Sequence, residues 1–270
     1  MVRRQASALS DRAKSALATC KNAVAAETGR VAKAGIARSR FRAKSAAASW
    51  REIRGKLSRA RPIGTRCHYC ELDRPRDIDH VYPLSVYPDE AFDYANYVYS
   101  CVICNQNRKR ERCSHVVDDE IRELGHFCRV DDELPVGVRG LINPRTEDPL
   151  EFMEIDIETG ALILIPQLNS TKRLRAEYTI DVLNLNEPNL ARDRRSAAKL
   201  YLDYAADVAA AITAEDTEMF ERIIYDFLDV DRPTVLMGLL NYPNRYPDFH
   251  ENLRVIVSDL DETVERLFAL

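Results

Sequence analysis

The sequence lacks the features that would place it in a membrane or outside a cell. No apolar run approaches the ~18–20 residues that a spanning helix needs, although 46% of the 270 residues are apolar. The first residues lack the short hydrophobic core of a secretory signal, so the expected location is intracellular and cytoplasmic. There is no Gly-rich phosphate loop, so any ATP chemistry would belong to a partner. There is no internal repeat, and no low-complexity tract beyond an Ala-rich start. The cysteines number seven, an odd count. A reducing compartment keeps thiols apart, which argues against a disulfide framework and for metal binding.

The net charge of −4 conceals a strong asymmetry. Residues 1–60 hold 15 Lys and Arg against 3 Asp and Glu, and the remainder holds 24 against 40. A basic arm on an acidic body implies an anionic partner such as nucleic acid. Neutralisation of the body or of an acidic partner protein, and a mitochondrial transit segment, are alternative readings of the same arm.

Residues 4–28 read as a helix, Ala-rich and free of Pro, with Gly29 near its stop. A second helix is expected from Val31 to Leu57, with Trp50 and Ile53 on its apolar face and Pro62 and Gly64 breaking it. Residues 113–150 read as polar loop. Phe152 to Ile157 and Ala161 to Ile165 flank Glu158-Thr159-Gly160 and predict a β-hairpin with Gly160 at positive φ. From Thr171 onward the apolar spacing is helical, through Leu174, Tyr178 and Leu183, then Leu190, Ala197, Leu200, Tyr201 and Tyr204. Ile223, Ile224, Phe227 and Leu228 mark a further helix, and Pro233 suits the first turn of another. Leu253, Ile256, Leu260, Val264 and Leu267 mark the last.

Cys67-x-x-Cys70 and Cys101-x-x-Cys104 stand 30 residues apart. A two-residue gap turns both thiolates of a pair toward one ion, and two pairs complete the tetrahedral shell that zinc prefers. A shell filled by four cysteines leaves no open position, so this zinc is expected to be structural and to contribute folding energy. His68, between two of the ligands, reads as a bystander. Cys113, His115, His126 and Cys128 form a second group of suitable types at unusual spacing. Its reading stays open between a second metal site and ordinary loop residues.

Between the knuckles, Asp77-Ile78-Asp79-His80-Val81-Tyr82 alternates as on a short strand. Asn96-Tyr97-Val98-Tyr99-Ser100 reads as a second strand, and Cys104-Asn105-Gln106-Asn107-Arg108-Lys109 as the start of a polar helix. In these residues the segment resembles the HNH endonuclease family, in its form pinned by two Cys-x-x-Cys knuckles. The resemblance implies an α+β, mostly helical protein. A ββα-metal HNH module over residues 63–115 would lie between a basic helical arm (1–62) and a loop and hairpin connector (116–170), followed by a helical domain (171–270). It implies His80 as general base, Asn96 holding the His80 loop, and Asp79 with Asn105 on one Mg²⁺ or Mn²⁺ ion, with Arg108 or Lys109 on a phosphate. The chemistry suits those types. An imidazole titrates near neutrality and can take a proton from water, and oxygen ligands favour a hard cation. Asp77 reads as a solvated strand residue or a support for the ligands.

Looser likenesses lie at Trp50-Arg51-Glu52-Ile53, at Asn143-Pro144-Arg145-Thr146-Glu147-Asp148-Pro149 and at Thr179 to Asn186. There the chain is similar to the HNH subunits of Septu-type and retron-associated antiphage systems, although Val81-Tyr82-Pro83-Leu84 departs from that group. This implies a DNA-cutting effector restrained by an ATPase partner, with an oligomer possible. A stand-alone restriction-type nuclease and a non-catalytic zinc-stabilised nucleic-acid-binding module are the competing readings.

Overall fold

The computed structural model describes residues 1, 3, 6–44, 47–60, 66–72, 75–230 and 232–259. Among them the protein is α+β and mostly helical, with three small sheets. It divides into two compact units, residues 1–154 with 162–186, and residues 155–161 with 187–270.

The first unit begins with helices α1 (Asp11–Ala25), α2 (Arg30–Lys44) and α3 (Ala48–Ser58). The Ser10 hydroxyl caps α1 by accepting from the Ala13 N–H at 3.3 Å, satisfying one free donor of the first turn. Ala13, Leu17, Cys20 and Val24 form its buried stripe. They share one core with Trp50, Ile53 and Leu57 of α3 and with Phe92 and Tyr97 further along. The basic helices are therefore packed into the segment that carries the paired cysteines. The first helix starts at its Ser10 cap, later than expected. The expected Val31–Leu57 helix is two helices, with Ala47 extended at ψ 154. Pro62 and Gly64, and Leu260, Val264 and Leu267, lie outside the described residues.

Strands β1 (Asp77–His80) and β2 (Tyr97–Ser100) pair antiparallel, with Asp77 opposite Ser100 and His80 opposite Tyr97. A short helix, Ile103–Lys109, follows β2. It is wound wider than an α-helix and ends with the Arg110 N–H on the Asn105 carbonyl at 2.8 Å, five residues back. Such wide turns recur at functional sites.

Residues 113–150 are not the loop that their polarity suggested. Strands β3 (Ser114–Val117), β4 (Glu120–Glu123) and β5 (Val138–Arg139) form an antiparallel sheet in the order β4-β3-β5. Its tight turn is Asp118-Asp119, both at positive φ (53° and 58°), as a two-residue hairpin requires. Strands β6 (Met153–Ile155) and β7 (Leu162–Leu164) form the expected hairpin, shorter at both arms, with Gly160 at φ +74°. Helix α4 (Ser170–Val182) closes the unit, capped by Asn169 on the Lys172 N–H.

In the second unit the long helix α5 (Pro188–Thr213) packs against α6 (Thr217–Asp229), α7 (Pro233–Asn241) and α8 (Pro247–Asp259). Leu190, Ala197, Tyr201, Ala205 and Val208 are its buried stripe, and Pro233 opens α7. Leu200, part of the apolar spacing that marked this helix, is 42% exposed. The tip of the hairpin belongs to this unit. Arg194 donates through Nε to the Gly160 carbonyl at 2.6 Å, and a Cβ on Gly160 would lie 1.9 Å from the Ala191 carbonyl oxygen. Gly160→Ala therefore combines a disfavoured φ with a backbone collision. It should destabilise the second unit by ~2–4 kcal/mol, read as a lower urea midpoint for the intact chain.

Candidate active site

The loop before β1 and the end of β2 bring four cysteines together. Cys67, Cys70, Cys101 and Cys104 are buried, and their sulfurs all lie within 4.8 Å of one another. Cys70 Sγ and Cys101 Sγ are 3.8 Å apart. Tetrahedral Zn–S bonds of ~2.3 Å place sulfurs about 3.8 Å apart, so the cluster has the dimensions of a metal site such as one for zinc. Backbone N–H groups support the sulfurs, Cys101 on Cys67 Sγ at 3.3 Å and Cys104 on Cys101 Sγ at 3.4 Å. Burial holds the Cys67 thiol well up, while hydrogen bonds from Cys104, Cys67 and Cys70 draw Cys101 far down. Four thiolates can coexist there only around a cation. His68 is buried beside them, with Nε2 on the Leu57 carbonyl at 3.1 Å and Nδ1 accepting from the Tyr99 N–H at 3.2 Å. Among the described residues this is the one group of close metal donors. Cys113, His115, His126 and Cys128 do not assemble into another. His115 instead bonds Tyr87 Oη at 2.9 Å and the Pro135 carbonyl at 2.6 Å.

His80 ends β1. Its Nε2 lies 2.8 Å from the Ala91 carbonyl oxygen, which can only accept, so Nε2 carries the proton and Nδ1 keeps a lone pair. The ring packs between Phe41 of α2, at 4.7 Å between centroids, and Tyr97 of β2, at 5.1 Å. Burial pushes the His80 pKa down to about 4, so the imidazole is neutral at physiological pH. The loop after His80 is clamped by Asn96, which is buried. Asn96 Oδ1 accepts from the Tyr82 N–H at 2.8 Å, and Nδ2 donates to the carbonyls of Tyr82 at 3.0 Å and Glu90 at 3.2 Å.

Asp79 sits on the opposite strand face from His80, because successive side chains alternate. It is buried, accepting from Tyr69 Oη at 2.9 Å and from Lys109 Nζ at 3.1 Å. Burial raises its pKa, and Lys109 and Tyr69 oppose that rise. Asn105 does not join Asp79. Its Nδ2 donates to Asp77 Oδ2 at 2.9 Å, as does Gln106 Nε2 at 2.9 Å. Asp79, expected with Asn105 at a divalent cation, is thus answered by the Lys109 ammonium, and the Asn105 amide nitrogen is turned to Asp77. Lys109, expected at a phosphate, lies instead inside the protein. Its side chain is 1% exposed and committed to Asp79, while Arg108 donates to the Leu183 carbonyl at 3.1 Å. The sequence pattern missed the Tyr69–Asp79–Lys109 network. The signal available for it was a lysine and a tyrosine close to the knuckles, which polarity alone reads as surface.

Beside β1 lies a cleft of about 260 Å³ bounded by Phe41, Trp50, Arg54, Arg76, Asp77 and Gln106, among others.

The chain is 27% identical over 141 residues to a Vibrio cholerae serotype O1 biovar El Tor protein named "Retron Vc95 putative HNH endonuclease". The match covers 49% of this chain and 57% of that protein, so the chain spans little more than half of this distant homologue's length. No protein-family model matches the chain, and no solved structure matches it.

Two outcomes follow from the buried groups. Lys109→Met leaves the Asp79 carboxylate unanswered and should cost about 3–5 kcal/mol. Adding Asp79→Asn should recover most of that loss in urea unfolding. The unfolded chain protonates His80 near pH 6.5 and the folded chain only near pH 4. Wild-type stability carried by His80 is therefore full above pH 6.5 and falls away as the pH drops toward 4. His80→Asn should lose less stability over that window than wild type, measured by urea midpoints at both ends.

Proposed function

We propose that the chain is an HNH-type endonuclease that hydrolyses DNA phosphodiester bonds, with His80 as general base. The observation that carries this reading is the His80 geometry. Nε2 is anchored on the Ala91 carbonyl, and Nδ1 keeps its lone pair in a neutral ring. A water giving its proton to Nδ1 forms the new O–P bond as the P–O bond to the leaving sugar oxygen breaks, and that oxygen takes a proton from solvent. Asn96 keeps the loop after His80 in place, and the four cysteines hold a structural zinc that ties β1 to β2. Mg²⁺ or Mn²⁺ is the cofactor that the family resemblance implies. Asp79 and the Asn105 amide oxygen would be its ligands on that resemblance, and the ion would stabilise charge on the phosphate; Asp79 meets Lys109 in this structure, and no step is routed through the ion.

The relative's name carries a retron setting, and the family resemblance implies within it a DNA-cutting antiphage effector of the cytoplasm, restrained by an ATPase partner. This chain shows no Gly-rich phosphate loop, so ATP would be the partner's substrate.

The closed Asp79–Lys109 pair favours a second reading, a zinc-stabilised nucleic-acid-binding module without catalysis. The two separate in a plasmid-nicking assay, with and without Mg²⁺ or Mn²⁺ and with proteins from neighbouring genes. The nuclease reading expects wild type to cut and His80→Ala to lose about 10²–10⁴-fold in rate, with zinc content unchanged. Cutting by His80→Ala at the wild-type rate would contradict His80 as the base. No cutting by wild type under any of these conditions would favour the binding module.

A further inference from the structure

Arg108 and Lys109 were the cations expected at the phosphate, and both are engaged by the protein itself. The cleft beside β1 offers two others. Arg54 and Arg76 line it, both are exposed, and neither makes an ion pair or side-chain hydrogen bond among the described residues. Their places are set by the backbone. Arg54 projects from α3 one turn after Trp50, on a helix that Trp50, Ile53 and Leu57 fix in the core. Arg76 precedes β1 with its N–H on the Ser100 carbonyl at 3.0 Å. Among the described residues that line the cleft, one carboxylate is present, that of Asp77, and the amides of Asn105 and Gln106 both donate to it. Among the described lining residues, two guanidiniums against one carboxylate leave one net positive charge.

Phe41 joins this cleft to the candidate base, since it lines the cleft and its ring rests on His80. An anion held by Arg54 and Arg76 would therefore sit one side chain away from His80. Guanidinium forks match phosphate oxygens in geometry and stay charged at any working pH.

We propose that the cleft is a phosphate subsite for a nucleic-acid strand. Arg54 and Arg76 grip a backbone phosphate flanking the one presented to His80. The inference takes its ligand class from the nuclease reading but does not require that the strand be cut. Phosphate contacts of this kind fix the register of a strand and carry no base preference.

The test uses the full chain and a short fluorescein-labelled single-stranded DNA, with binding followed by anisotropy between 50 and 200 mM salt. Arg54→Gln with Arg76→Gln should weaken binding roughly tenfold or more and flatten the log–log salt dependence by about one to two. Asp77→Asn removes the one repulsive charge and should tighten binding, a gain that misfolding would not produce. Arg173→Gln with Arg192→Gln, a charge-matched change at exposed arginines outside the basic arm, should bind as wild type. Zinc content checks the fold of every variant. The inference is overturned if the Arg54 and Arg76 double variant keeps wild-type affinity and slope. It is equally overturned if the control pair loses as much, or if wild type does not bind. A wild type that binds in the expected pattern and never cuts removes the nuclease reading and leaves the cleft standing.

Discussion

Four sulfur atoms gathered within 4.8 Å of one another set the geometry of everything near His80. The strands that carry the candidate site are four residues each, and a two-stranded pair of that size is marginal in water without further support. The cysteines supply it at both ends of the arrangement. Cys67 and Cys70 fix the loop that leads to β1, and Cys101 and Cys104 fix the exit of β2 into the wide helix. Metal binding at such a site is folding free energy for the segment. The α1–α3 core adds a second support through Trp50 and Phe41, which reach the β1–β2 pair through Tyr97 and His80.

With the pair fixed, strand alternation separates the two acid–base groups. Asp79 turns inward to Tyr69 and Lys109, and His80 turns to Ala91, Tyr97 and Phe41. Burial acts oppositely on the two, raising the carboxyl pKa and lowering that of the imidazole. Both shifts favour the neutral form. For His80 the neutral form is the one able to accept a proton. For Asp79 the charge is kept by Lys109, whose burial is tolerable only because the pair is complete. Charge that can meet a solvent-borne anion is left to residues at the rim, Arg54 and Arg76.

The elements with strong periodic or covalent logic were legible in the sequence. The two Cys-x-x-Cys pairs predicted one cluster of four sulfurs, Gly160 predicted a positive φ in a hairpin, and Pro233 predicted a helix start. The sheet over β3, β4 and β5 was not legible, because its turn uses Asp118-Asp119 instead of a glycine pair and its strands are polar on one side. The division of the Val31–Leu57 segment was hidden by unbroken Ala-rich helix propensity. At the site, residue types were legible and pairings were not. Adjacent letters Asp79 and His80 look like partners on paper, yet a strand sends them to opposite faces. Asn105 likewise gave no sign that its amide nitrogen would donate to Asp77 and not to Asp79.

The most direct test of the cluster that holds this arrangement is X-ray absorption at the zinc edge on the purified 270-residue chain, together with its metal content. One zinc per chain bound by four sulfurs at about 2.3 Å is the result this account predicts. Zinc bound by fewer sulfurs, or nitrogen and oxygen ligands in their place, or a correctly folded chain without metal, would contradict it.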